Sequence, residues 1–157
     1  MHIRSTLFTA LLLLPGLAFA AAPTPADAGC LAVRDGWIRL SPVPRPTMLA
    51  GFGRIINGCV TAQAVVAVRS PRFGDVSLHE TQVVDGVSRM REVERLPLTP
   101  GGEAVLAPGG LHLMLMQPDA VLADGERVPL VLVLADGHQV AAELQVRRTA
   151  PEPAHAH

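Results

Sequence analysis

Turn-forming residue pairs divide this chain at short intervals: Asn57-Gly58, Asp85-Gly86, Asp124-Gly125 and Asp136-Gly137, with Pro100-Gly101-Gly102 and Pro108-Gly109-Gly110 between them. Gly and Asn tolerate the positive φ that tight turns require, and Pro pre-sets a turn while interrupting strands and helices alike. The segments they bound are short and rich in β-branched residues or Leu: 33–40, 51–57, 64–68, 76–84, 87–93, 111–116, 128–134 and 139–146. No window carries a helical apolar stripe longer than two turns. Short strands with turns at such spacing predict an all-β chain, a β-sandwich or Greek-key barrel. With 157 residues, and roughly 150 per domain as the usual allotment, a single domain is expected.

The N-terminus has a different character. Leu7 to Ala20 is apolar, follows the positive Arg4 and ends in Ala18-Phe19-Ala20, which predicts a secretory signal peptide over residues 1–20. Pro15-Gly16 interrupts this run, and it is shorter than the roughly 20 residues of a spanning helix, so no transmembrane anchor is expected in the mature chain. Residues 21–31 read as a Pro/Ala linker, 32–148 as the β domain, and 149–157 as a flexible tail ending in His155-Ala156-His157. Cys30 lies well beyond the apolar run, too late for a lipoprotein box.

Composition matters once that leader is set aside. Trp37, Phe52 and Phe73 are then the only aromatics, so the core must be built mainly from Val, Leu and Ala. The formal charge is −1, and every basic residue is Arg; this balance excludes a nucleic-acid footprint. The two cysteines, Cys30 and Cys59, are expected to pair in an oxidising compartment rather than hold a metal as thiolates. Such a loop closure contributes roughly 3 to 4 kcal/mol in the chain-entropy account.

The chemistry lies in where the methionines fall. Met90, Met114 and Met116 occur close to His79 and His112. In Leu111-His112-Leu113-Met114-Leu115-Met116 the alternation is strict, so a strand puts the leucines on one face and His112, Met114 and Met116 on the other. With the leucines in the core, the imidazole and thioethers face outward. The Asp85-Gly86 pair predicts a two-residue hairpin in which Val84 pairs with Val87 and Thr81 with Met90. Met90 then shares a face with His79, as a diagonal neighbour. Two imidazoles and two thioethers are a neutral, soft-to-borderline set suited to Cu(I), and the lack of carboxylates disfavours calcium and magnesium. Unlike thiolates, thioethers are not lost to disulfide formation, although oxidation to sulfoxide would abolish them as ligands.

The pattern His79, ten residues, Met90, twenty-one residues, His112-Leu113-Met114 resembles the signature of the PCuAC (DUF461) periplasmic copper chaperones. The neighbouring text is similar too: Trp37-Ile38-Arg39, Leu78-His79-Glu80, Pro108-Gly109-Gly110, Met114-Leu115-Met116 and Val128-Pro129-Leu130. The likeness covers Val33 to Arg147. It implies a cupredoxin-like barrel in the periplasm of a Gram-negative-type bacterium, with His79, Met90, His112 and Met114 as ligands of one Cu(I). It also implies delivery of that ion to the Cu(A) subunit of cytochrome c oxidase, or to a thiol-containing Sco-type copper assembly protein. Met116, His155 and His157 are auxiliary candidates, the two tail histidines for Cu(II). Where the family often has a Met after the first His, this chain has Glu80.

Rival functions leave weaker traces. A copper buffer without a dedicated acceptor would share the whole site. An electron-transfer cupredoxin needs a Cys ligand, and no Cys lies near either His. An enzyme is not expected, because Ser77 and Ser88 have no nucleophile elbow or persuasive Ser/His/Asp spacing around them. His138, beside Asp136-Gly137, reads as an exposed turn residue, and Met48, in the Pro-rich stretch 41–50, reads as packing.

Overall fold

A computed structural model describes residues 29–151 of the chain. The expected signal peptide over residues 1–20, the expected linker up to residue 28 and the tail histidines His155 and His157 lie outside the described residues. Ten strands and no helix make up the described part: β1 Leu31–Arg39, β2 Met48–Asn57, β3 Gln63–Arg69, β4 Phe73–Val84, β5 Val87–Glu92, β6 Leu96–Leu98, β7 Glu103–Leu106, β8 Leu111–Pro118, β9 Arg127–Leu134 and β10 Gln139–Arg147. The hydrogen-bonded order is β5-β4-β8-β2-β1-β10-β9-β3-β6, with β7 continuing the edge of β2 beyond β8. The all-β sandwich expected from the turn spacing, cupredoxin-like as the family resemblance implies, is therefore what forms. β6 and β7 were not legible as strands: one is three residues long and contains Pro97, the other lacks alternation.

β1 is the hinge of the sandwich. It pairs antiparallel with β2 on one side and parallel with β10 on the other, so it belongs to both halves. Its register with β2 shifts between Arg34 and Trp37, a β-bulge that bends the strand. Gly36 is required there by close approach, since a Cβ on it would stand 2.5 Å from Leu144 and 3.0 Å from the Glu143 carbonyl. Past the bulge, Trp37 pairs with Phe52 and their rings stack at 4.8 Å. Inside, Ile38, Leu115, Leu132, Leu144 and Val146 are fully enclosed, and Leu78 and Leu113 from one half join the same cluster as Leu130 and Leu134 from the other.

Loops at one end are tied by a buried amide and a disulfide. Asn57, the last residue of β2, is completely buried; its side-chain NH2 donates to the carbonyls of Thr61, Leu98 and Thr99, and its Oδ1 accepts from the Cys59 amide. The expected disulfide joins Cys30 to Cys59 beside it. Replacing Asn57 by Leu leaves the buried Leu98 carbonyl and the buried Cys59 amide without this partner, at about 1 to 3 kcal/mol for each group left unsatisfied. Urea unfolding of Asn57→Leu should show a clear drop in midpoint at an unchanged slope.

At the opposite end Arg72 bridges the β3–β4 connection to the segment before β9, forming ion pairs with Asp119 at 2.8 Å and with Glu126. The Ala123 backbone N–H, and then the Arg72 guanidinium, hold the Glu126 carboxyl below the usual carboxylate range. A carboxyl depressed by folding stabilises the fold above its unfolded value of about 4.3 and loses that contribution as pH falls through the folded value. Glu126→Gln should therefore flatten the acid limb of a stability-versus-pH curve and leave the shape above pH of about 6 unchanged.

Candidate metal centre

The central strands set the geometry by register alone. β4 and β8 run antiparallel with His79 directly opposite His112, Ser77 opposite Met114 and Asp75 opposite Met116. β4 and β5 pair Val84 with Val87 and Thr81 with Met90, the hairpin register predicted from the Asp85-Gly86 turn. Both turn residues have the positive φ, 54° and 75°, that a type I′ turn demands. Because side chains alternate, Leu78, Leu113 and Leu115 enter the core while His79, Met90, His112, Met114 and Met116 share the opposite face. All four proposed ligands and one auxiliary candidate thus lie on one face of three adjacent strands.

That face is not bare. The sequence led us to expect an outward imidazole, whereas His112 is only 7% exposed. The reason is a second apolar layer: Phe52 lies 6.5 Å from the His112 ring, Trp37 stacks on Phe52, and the Arg39 guanidinium covers both aromatic rings at 5.6 and 5.2 Å. The β1 bulge places Trp37 there. Met90, by contrast, sits on the edge strand β5 and is 54% exposed. A pocket of about 300 Å³ opens beside His112, lined by Met48, Met90, Met114 and Arg39 among others.

The two rings, 6.2 Å apart between centroids, are oriented by different partners. His112 Nδ1 lies 2.8 Å from the Gly110 carbonyl; a carbonyl only accepts, so Nδ1 carries the proton and Nε2 keeps its lone pair for a ligand. His79 Nε2 lies 3.1 Å from Ser77 Oγ, and its buried Nδ1 has no hydrogen-bond partner. With Nε2–H donating to Ser77, the orphaned Nδ1 presents a free lone pair to the same face. A buried ring nitrogen without a partner is costly unless something electrophilic occupies the space before it. Among the described residues no group of three or more His, Cys, Asp or Glu side chains is arranged to hold a metal; beside the two imidazoles this face offers the thioethers of Met90, Met114 and Met116 as donors.

Outside this cluster the histidines and methionines divide. His138 is in an exposed turn, with its ring beside Asp136 at 3.1 Å. Met48 is a correction: it does not pack into the core but opens β2, directly opposite Met116, 48% exposed and lining the pocket. Its pairing is long-range and follows a Pro-rich segment, so no local periodicity revealed it. Trp37, Phe52, Arg39 and Ser77 are the other side chains around the site that reasoning from ligand spacing did not reach.

The class defined by this fold and face is a small β-sandwich presenting a neutral His/Met cluster. The family described as "Putative lipoprotein LpqE-like" matches residues 31–146, and the chain belongs to it, within the PCuAC (DUF461) group that its motif resembles. A relative described as "Putative lipoprotein Lxx21020", from Leifsonia xyli subsp. xyli, is 33% identical over 141 residues, covering 86% of this chain and 83% of that protein. Among solved structures, the apo PCuAC domain of PmoF1 aligns with a TM-score of 0.62 at 25% identity, over 80% of this chain and 98% of its own. The CuI form of DR1885 from Deinococcus radiodurans aligns at 0.59 and 25% identity, over 80% of this chain and 85% of its own. Cys30 of this chain is bonded to Cys59 and so is not a free thiol for lipid attachment.

Proposed function

We propose that this chain is a Cu(I) metallochaperone of the periplasm that holds one ion with His79, Met90, His112 and Met114 and passes it to an acceptor. The observation that carries the reading is the direct opposition of His79 and His112 with Met114 and Met90 on the same face. Imidazole and thioether ligands favour the soft monovalent ion, the orphaned His79 nitrogen suits an electrophile, and the solved CuI form of DR1885 is similar to this chain. The sulfurs of both cysteines are consumed in a disulfide, so the thiolate that defines blue-copper electron transfer has no source here.

What supports delivery is how unequally the proposed ligands are held. His79, His112 and Met114 are on strands paired on both sides, whereas Met90 is on the edge hairpin, whose strand β5 is exposed throughout. Edge elements with few buried contacts open at the lowest cost. An incoming ligand can therefore displace Met90 first, with the pocket beside His112 as its path. The acceptors we propose are the Cu(A) domain of cytochrome c oxidase or a thiol-containing Sco-type protein, since a thiolate competes well with a thioether for Cu(I). In equimolar mixtures of Cu(I)-loaded chain with each apo acceptor, copper should appear on one of them within minutes. Retention of the ion against both would leave binding intact and overturn delivery.

A further inference from the structure

The methionines exceed what one four-ligand site uses. Met48 and Met116 are direct cross-strand partners between β2 and β8, and Asp75 of β4 lies opposite Met116 on its other side. The Gln117 amide donates to the Thr47 carbonyl at 2.8 Å, so the adjacent Met48–Met116 pair is of the non-hydrogen-bonded kind, in which the Cα atoms approach to about 4.5 Å and side chains are closest. Each thioether has three rotatable bonds with which to converge. Neither sulfur is consumed by the core: Met48 is half exposed and Met116 partly so. Asp75 is exposed and takes part in no ion pair among the described residues.

We propose that Met48 and Met116 form a second site for a soft monovalent cation, ligated by thioethers alone, beside the His/Met cluster. Two neutral sulfurs select Cu(I) or Ag(I) over hard cations, and the Asp75 carboxylate offsets the charge of the bound ion without having to ligate it. The site lacks imidazole and is open to water, so it binds more weakly than the His/Met cluster. Met114 is two residues from Met116 on the same face, and Met48 lines the pocket that reaches Met90 and His112. An ion captured by the pair is thus one exchange of sulfur ligands from the tighter site, which makes the pair an entry or exit station. This role as a station rests on the copper-carrying reading; the binding of a soft cation by the pair does not.

The test is an Ag(I) titration of the full chain labelled with 13C at the methionine methyls and followed by NMR. The first equivalent should move the Met90 and Met114 methyls, and the second those of Met48 and Met116. In a Met48→Leu, Met116→Leu double variant the first step should persist and the second vanish. Met48 and Met116 methyls that stay still in excess Ag(I), or that move together with Met90 and Met114 in the first equivalent, would overturn the proposal. Movement of Met48 and Met116 with Met90 and Met114 unmoved would uphold the pair and sink the copper-site reading instead.

Discussion

Replacing Met114 by Leu, or His112 by Ala, is expected to lower Cu(I) affinity by more than the roughly 10- to 100-fold that losing a group merely orienting a ligand costs. A hundredfold loss corresponds to about 2.8 kcal/mol. The Leu substitution nearly conserves volume, and Met114 is only partly buried, so its effect reads out ligation rather than folding. His112 is more demanding because its ring is buried against Phe52, and circular dichroism and unfolding of the variant belong beside its affinity. Met116→Leu is the control: as a member of the weaker pair it should leave the first equivalent of Cu(I) bound with unchanged affinity. A competition titration against a chelator of known Cu(I) affinity makes all three comparisons on one scale. Met114→Leu and His112→Ala chains that both bind as tightly as the parent would remove the proposed ligand set.

The largest stability effect is expected at the disulfide. Cys30 and Cys59 are separated by 29 positions in the chain, and a cross-link over that span contributes roughly 3 to 4 kcal/mol by restricting the unfolded ensemble. A domain of this size with an aliphatic core is only marginally stable, within about 5 to 15 kcal/mol in total. Cys30→Ser, Cys59→Ser together should therefore shift the unfolding midpoint far more than any single surface substitution. Cu(I) affinity of the folded fraction should change little, because the disulfide sits with Asn57 at the far end of β2 from Met48. Equal loss of copper binding and stability at temperatures where the variant stays folded would contradict that separation.

What was legible in the chain is what local geometry dictates. The Asp85-Gly86 turn set the β4–β5 register through its own φ requirements, and that register alone put Met90 and His79 on one face. Strict alternation from Leu111 to Met116 divided leucines from ligands because a period of two has no other outcome in a strand. What stayed hidden depends on partners distant in sequence. The opposition of His79 and His112 is a β4–β8 pairing, and that of Met48 and Met116 a β2–β8 pairing; nothing near any of these residues encodes it. The burial of His112 was missed for a related reason: it follows from a bulge at Asp35-Gly36 that swings Trp37 against Phe52. Alternation says which face a side chain takes, but not what covers that face.

The central claim is that two imidazoles and two thioethers, drawn from three neighbouring strands, hold one Cu(I). X-ray absorption at the copper edge of the chain loaded with a single equivalent addresses it directly, because sulfur and nitrogen neighbours scatter at distinguishable distances. Mixed ligation is the expected result, with the sulfur contribution reduced in Met114→Leu and the nitrogen contribution in His112→Ala. A spectrum containing nitrogen or oxygen neighbours alone, unchanged by the loss of Met114, would contradict the account.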